Sequence, residues 1–141
     1  MRLRYLLAST VLAGAAVIGQ APSAQAAPPS PRCLLHGSAT RAFCYFYNSG
    51  QQGGVAGWDL TYADGVGNLA GFEFALGAGA GLPVKNNAAS ATYQVAGSCT
   101  GYALSYYLSN FAGPADFIFA CTGDNLVETY NQNASFKRWT S

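Results

Sequence analysis

The sequence predicts an all-β fold made of two similar halves packed face to face as a sandwich. Three observations carry this expectation. Short, aromatic-rich runs are separated by clusters of Gly, Asn, Ser and Pro. Beyond the N-terminal segment, no stretch sustains a helical period with caps at both ends. The same order of motifs also occurs twice.

Residues 41–47 (Arg-Ala-Phe-Cys-Tyr-Phe-Tyr) read as a first strand, because aromatic side chains favour the pleated, half-buried setting of a sheet. Residues 48–54 are rich in Asn and Gly, which tolerate positive φ, and read as a turn. Residues 55–62 alternate enough to form a second strand. Asp64-Gly65 and Gly67-Asn68 punctuate the chain after that strand, residues 72–74 read as a short strand, and residues 77–81 (Gly-Ala-Gly-Ala-Gly) as a flexible loop. That loop has neither the Lys nor the following helix that a phosphate-binding loop requires. In the second half, residues 102–108 form a Tyr- and Leu-rich strand, 109–114 a turn, and 116–121 an apolar strand. Residues 125–130 lead into the Asn-rich segment 131–135, and residues 136–139 close the chain with Trp139 as an anchor.

The repeat has three parts. Tyr47-Asn48-Ser49 with Gly53 matches Tyr107-Leu108-Ser109 with Gly113, both at strand ends. Asn68-Leu69 matches Asn125-Leu126. Asn86-Asn87-Ala88-Ala89-Ser90 matches Asn131-Gln132-Asn133-Ala134-Ser135. The first half is longer by a segment around residues 75–83. An aromatic before a glycine turn can fold back over its hairpin, and the glycine supplies a backbone conformation that other residues resist.

The N-terminus carries Arg2 and Arg4, then an uncharged apolar stretch over residues 5–18, then Ala24-Gln25-Ala26. This is the pattern of a cleavable secretory leader covering residues 1–26. A Pro-rich, mobile lead-in is expected over residues 27–32, and residues 33–141 are expected to form one domain. Export to the extracellular space is therefore expected, as is a monomer with no membrane attachment once the leader is removed. After the leader, five basic residues stand against six acidic ones with no basic stripe, which argues against a nucleic-acid partner.

All four cysteines, Cys33, Cys44, Cys99 and Cys121, lie beyond the leader. An even count in a small exported domain favours two disulfides rather than a metal cluster, and there is no Cys-x-x-Cys pair. Three pairings are open; the nearest-neighbour set, Cys33–Cys44 and Cys99–Cys121, gives each half its own staple. In the chain-entropy picture each would stabilise the fold by about 3 kcal/mol. Asn133-Ala134-Ser135 fits a glycosylation sequon.

Together, Phe43-Cys44-Tyr45-Phe46-Tyr47-Asn48-Ser49, Val84-Lys85-Asn86-Asn87-Ala88-Ala89-Ser90 and Tyr130-Asn131-Gln132-Asn133-Ala134-Ser135 give the chain a family likeness. It resembles the βγ-crystallin-like Greek-key proteins secreted by actinobacteria, many of them grouped as peptidase inhibitor family I36. The resemblance spans about residues 33–139. It implies a βγ-crystallin-like sandwich of two four-stranded Greek-key motifs and an extracellular proteinase as partner, a metalloproteinase first.

Microbial relatives of this type bind calcium through two Asn or Asp, two variable residues, then Ser or Thr and Ser. Carried over, Asn86, Asn87 and Ser90 match, with Ala91 in the last place; Asn131 and Ser135 match, while Gln132 and Phe136 depart. Calcium takes six to eight oxygen ligands and carboxylates strengthen its sites, so these neutral side chains predict weak affinity. The alternative is that they hydrogen-bond their own turns.

An inhibitor must present a rigid loop. One candidate is residues 76–85, with Leu82, Pro83 and Val84 as an apolar tip; the other is residues 121–125 beside Cys121. Either can equally be an ordinary surface loop. The other function the residues allow is a non-enzymatic extracellular binding or structural protein, weakly calcium-binding or toxin-like. Catalysis is not expected: His36 is the lone histidine, and neither a nucleophile elbow nor a paired-carboxylate spacing occurs.

Overall fold

The computed structural model describes Cys33 and residues 39–139. The leader, the lead-in and His36 lie outside the described residues. Eight strands form: β1 (Arg41–Asn48), β2 (Gln52–Asp59), β3 (Gly65–Val66), β4 (Ser90–Val95), β5 (Tyr102–Leu108), β6 (Ala112–Phe119), β7 (Thr122–Asn125) and β8 (Ser135–Trp139).

They make two four-stranded antiparallel sheets, ordered β2-β1-β4-β7 and β3-β8-β5-β6. Each half gives a hairpin and a returning strand to its own sheet, and one short strand to the other. The first half sends β3 across to pair with β8; the second half sends β7 across to pair with β4. Neither sheet is complete without the other half, which is the Greek-key arrangement that the resemblance implied.

The repeat motifs meet across this exchange. Leu69 N–H donates to Ala134 O at 2.9 Å, and Leu126 N–H to Ala89 O at 3.0 Å. Asn86 N–H donates to Asn133 O, and Asn131 N–H to Ala88 O, both at 2.8 Å. The Asn-Leu and Asn-rich motifs therefore occupy equivalent places about an internal pseudo-twofold.

The core lies between the sheets. Phe43 and Phe136 stack with centroids 4.3 Å apart, Tyr45 packs edge-on against both, and Trp58 lies tilted on Phe136 and edge-on to Tyr45. All four are buried. The Tyr45 hydroxyl donates to Ser105 Oγ at 2.8 Å, and Ser105 in turn meets Thr129 Oγ1 at 2.9 Å. Thr129 Oγ1 donates to the Asp116 carboxylate, which also accepts the backbone N–H groups of Val127, Glu128 and Thr129. This chain satisfies polar groups that would otherwise cost about 1–3 kcal/mol apiece in the core.

Burial pushes the Tyr45 phenol well above its ordinary range and raises that of Tyr93 as well. In the unfolded chain a tyrosine ionises near 10. Above about pH 10 the folded state therefore holds more protons than the unfolded state, and stability must fall as pH rises. Denaturant melts between pH 8 and about 11 are expected to show a loss approaching about 1.4 kcal/mol per pH unit for Tyr45. Tyr45→Phe should remove that share of the slope; an unchanged slope in the variant would place the ionisation elsewhere.

Both disulfides take the nearest-neighbour pairing, Cys33–Cys44 and Cys99–Cys121. Several local expectations are corrected. Residues 72–74 form isolated bridges (Glu73 with Pro83, Ala75 with Val55) instead of a strand, because Phe74 is there to fill the core beside Tyr47. The third strand is β3, over the residues read as turn punctuation. β4 was not among the expected strands, and the polar, wholly exposed β7 carries no strand signal of its own. Residues 77–81 are not a free loop but lie pinned on β2: Gly54 N–H donates to Ala78 O at 2.6 Å, and Gly81 N–H to Phe74 O at 2.9 Å. Gly79, at φ +85°, lies so close to the Tyr47 ring that a Cβ would sit 2.3 Å from its Cγ. β6 begins within the expected turn and includes Pro114, tolerated because β6 is an edge strand.

Candidate functional site

The Asn and Ser residues of the two repeats are brought to the hairpin turns. Ser90 Oγ donates to Asn48 O at 2.7 Å and accepts Gln51 N–H at 3.0 Å. Ser135 Oγ does the same in the second half, donating to Leu108 O at 2.7 Å and accepting Phe111 N–H at 3.1 Å. Each serine thus closes the tip of the neighbouring hairpin. Asn86 and Asn131 sit at φ +65° and +52°, where Asn is tolerated far better than most residues. Asn87 Nδ2 donates to Lys85 O.

The Lys85 ammonium lies 3.1 Å from both Asn68 Oδ1 and Ser109 Oγ, so a cation of the chain's own already takes those oxygens. Among the described residues no group of three or more His, Cys, Asp and Glu side chains could hold a metal. With neutral donors whose serine hydroxyls are already engaged, this set does not fit a tightly held calcium ion.

In the candidate inhibitory loop, Val84 is wholly buried while Leu82 is 42% exposed. Leu82 O accepts Phe74 N–H at 3.0 Å, and Val84 N–H donates to Phe72 O at 2.8 Å. Leu82-Pro83-Val84 is therefore held as one side of a narrow antiparallel ladder, its Leu82 carbonyl already bonded. In the second candidate, residues 122–125 form β7 and pair with β4. Asn133 is buried in the core with both carboxamide atoms bonded, so the folded structure leaves no room for a glycan on it.

The most prominent surface feature lies on the outer face of β8-β5-β6. Registry puts Trp139, Tyr102 and Phe119 in one row across the three strands, and Lys137, Leu104 and Phe117 in the next. Phe117 and Phe119 are 55% and 57% exposed, with Trp139 and Phe111 also open to solvent. Tyr102 packs on Phe117 at 5.3 Å, and Tyr106 on Phe111 at 6.0 Å. The Lys137 ammonium lies 4.7 Å from the Trp139 ring centroid and 5.5 Å from that of Phe111. Clustered exposed aromatics of this kind mark interaction surfaces.

The sequence held a signal for this face that the strand pattern alone left unread. In Phe117-Ile118-Phe119, strict alternation puts both phenylalanines on one side and Ile118 on the other. Ile118 is the buried member, so the two larger rings face water.

Two antiparallel sheets, exchanged third strands and two disulfides define a Greek-key sandwich consistent with the βγ-crystallin type. No family model, curated protein or solved structure matches the chain.

Proposed function

We propose that this protein is a non-enzymatic extracellular binding protein on a Greek-key scaffold, and that it docks a protein partner through the outer face of β8-β5-β6. The observation that carries the reading is the aromatic cluster around Phe117, Phe119 and Trp139. Aromatic anchors supply most of the binding energy at protein interfaces. Among the described residues the single cation of the face is Lys137, which is held between two rings and selects a partner that places a carboxylate beside apolar surface. The leader pattern and the two disulfides support an extracellular setting.

The resemblance makes a secreted proteinase the first partner to test. In this reading inhibition is exercised by the aromatic face and not by a substrate-like loop, since the Leu82 carbonyl is committed to Phe74. No step of it uses calcium. The test is titration of the oxidised protein against a thermolysin-like metalloproteinase and against subtilisin- and trypsin-like serine proteinases. Stoichiometric inhibition of one class is expected. Phe119→Ser is expected to weaken it by about thirtyfold or more, the loss of one hot-spot anchor. Full inhibition by Phe119→Ser would move the contact off this face, and no inhibition of any class would remove proteinases as the partner.

A further inference from the structure

The opposite sheet carries a different kind of surface. Along β4, alternation turns Thr92 and Gln94 outward, while Ala91 and Tyr93 enter the core. Phe46 of β1 and Gln51 of the first hairpin turn bound one side, and Cys121, Thr122 and Gly123 the other, with Val95 closing one end. Together they enclose an open groove of about 530 Å³. That falls within the range of small-molecule sites, roughly 300–1,000 Å³.

The lining is chemically selective. Among the described residues it contains no ionisable side chain, so nothing they offer rewards an anion or a cation. It offers two carboxamides, Gln51 and Gln94, each able to donate and accept, and two hydroxyls, Thr92 and Thr122. Among the described residues neither carboxamide has a hydrogen-bond partner, whereas Thr122 Oγ1 is used by Phe119 O. Thr92 donates to the sulfur of Cys33 at 2.9 Å and keeps its lone pairs. Phe46 supplies apolar surface beside these groups.

The walls are also fixed. The Cys99–Cys121 bridge holds the start of β7, and Cys121 N–H donates to Tyr93 O at 2.7 Å. Gly123 lets β7 come close: a Cβ there would lie 2.7 Å from Thr92 Cγ2 and 3.0 Å from Gln51 Cδ. Little ordering is left for a ligand to drive, which favours binding of weakly interacting, uncharged molecules.

We propose that this groove is a binding site for a neutral saccharide, with Gln51, Gln94 and Thr92 bonding its hydroxyls and the Phe46 ring meeting the C–H face of a sugar ring. A neutral polyol that is apolar on one face and polar at its edge matches this lining. A charged ligand would leave its charge without a partner. The site is on the opposite sheet from the aromatic face, so the two proposals stand or fall separately.

The experiment is an amide and side-chain NMR titration of the disulfide-intact protein with neutral tetrasaccharides of glucose, N-acetylglucosamine, mannose and xylose. Shifts confined to Phe46, Gln51, Thr92, Gln94 and Thr122 are expected with at least one of them. Gln94→Ala should weaken that binding about tenfold, the loss of one or two hydrogen bonds. Trp139→Ser should leave it unchanged. Gln94→Ala is the informative variant should Phe46→Ala disturb the sheet, because Gln94 lies on the outer face and outside the core. Three results would overturn the proposal: no groove shifts with any of the four sugars, shifts centred on Phe117 and Trp139, or binding only of an extended peptide with changes at the β7 edge amides.

Discussion

Asn133→Ala is expected to destabilise the fold by about 2–3 kcal/mol, well above the cost of Asn131→Ala in the same turn. Asn133 is wholly buried. Its Oδ1 accepts Ala88 N–H and its Nδ2 donates to Val84 O, each at 3.0 Å. One side chain of the second half thus satisfies two backbone groups of the first. Alanine would leave the Ala88 N–H buried and unpaired, at about 1–3 kcal/mol, would take one of two donors from Val84 O, which keeps the Asn87 N–H at 3.2 Å, and would open a small void. The pseudo-symmetric position holds Ala88, so no second amide takes up the role.

Urea melts would measure the effect, with Asn131→Ala as comparison. Asn131 is exposed at positive φ, and its replacement should cost only about 1 kcal/mol. If both variants lost the same small amount, the Asn133 carboxamide would not be what joins the halves at this turn.

Gly65→Ala is expected to have a comparable or larger effect, because it blocks the strand exchange itself. Gly65 pairs with Lys137 in β8. A Cβ at this position would lie 2.1 Å from Phe136 O and 2.7 Å from Lys137 Cα, both backbone atoms that cannot swing aside. β3 is only two residues long, so it cannot shift register and keep its pairing. The variant should either fail to fold or lose about 3 kcal/mol or more. Hydrogen exchange distinguishes this from a diffuse effect. Protection should be lost first at the β3–β8 contacts, including Arg138 N–H, which donates to Asp64 O at 2.7 Å. Gly71→Ala is the control: nothing lies within 4 Å of its added Cβ, leaving only the cost of a positive φ. Equal losses in the two glycine variants would argue that packing at β3 is not the cause.

How far each feature was legible depended on where its information resides. β1, β5 and β8 were readable because their aromatic content belongs to the strands themselves. β3 and β7 were not. Gly65–Val66 is too short for any period, and Thr122–Asn125 is exposed at every position, so no alternation could appear. Both are strands because the other half supplies a partner, Phe136 and Lys137 for one and Ser90 to Thr92 for the other. The loop at residues 77–81 looked free for a similar reason. Its glycines suit a flexible segment equally well, and only the Tyr47 ring lying against Gly79 shows why they are needed.

The candidate surfaces divide in the same way. Phe117 and Phe119 on one face could be read from alternation, but their lying beside Trp139 and Tyr102 depends on the pairing of β5 with both neighbours. The groove over β4 draws its lining from four separate segments and had no sequence signature at all.

By itself, the sequence determined an all-β chain, its two-fold repeat and the segments that recur in it, since composition, turn residues and motif order are local properties. Only the tertiary structure decided which half completes which sheet, that Ser90 and Ser135 close hairpin tips, that Val84 and Asn133 are interior, and which side chains share a face. Those outcomes depend on hydrogen-bond partners and neighbours far away in the chain, and no local pattern encodes them.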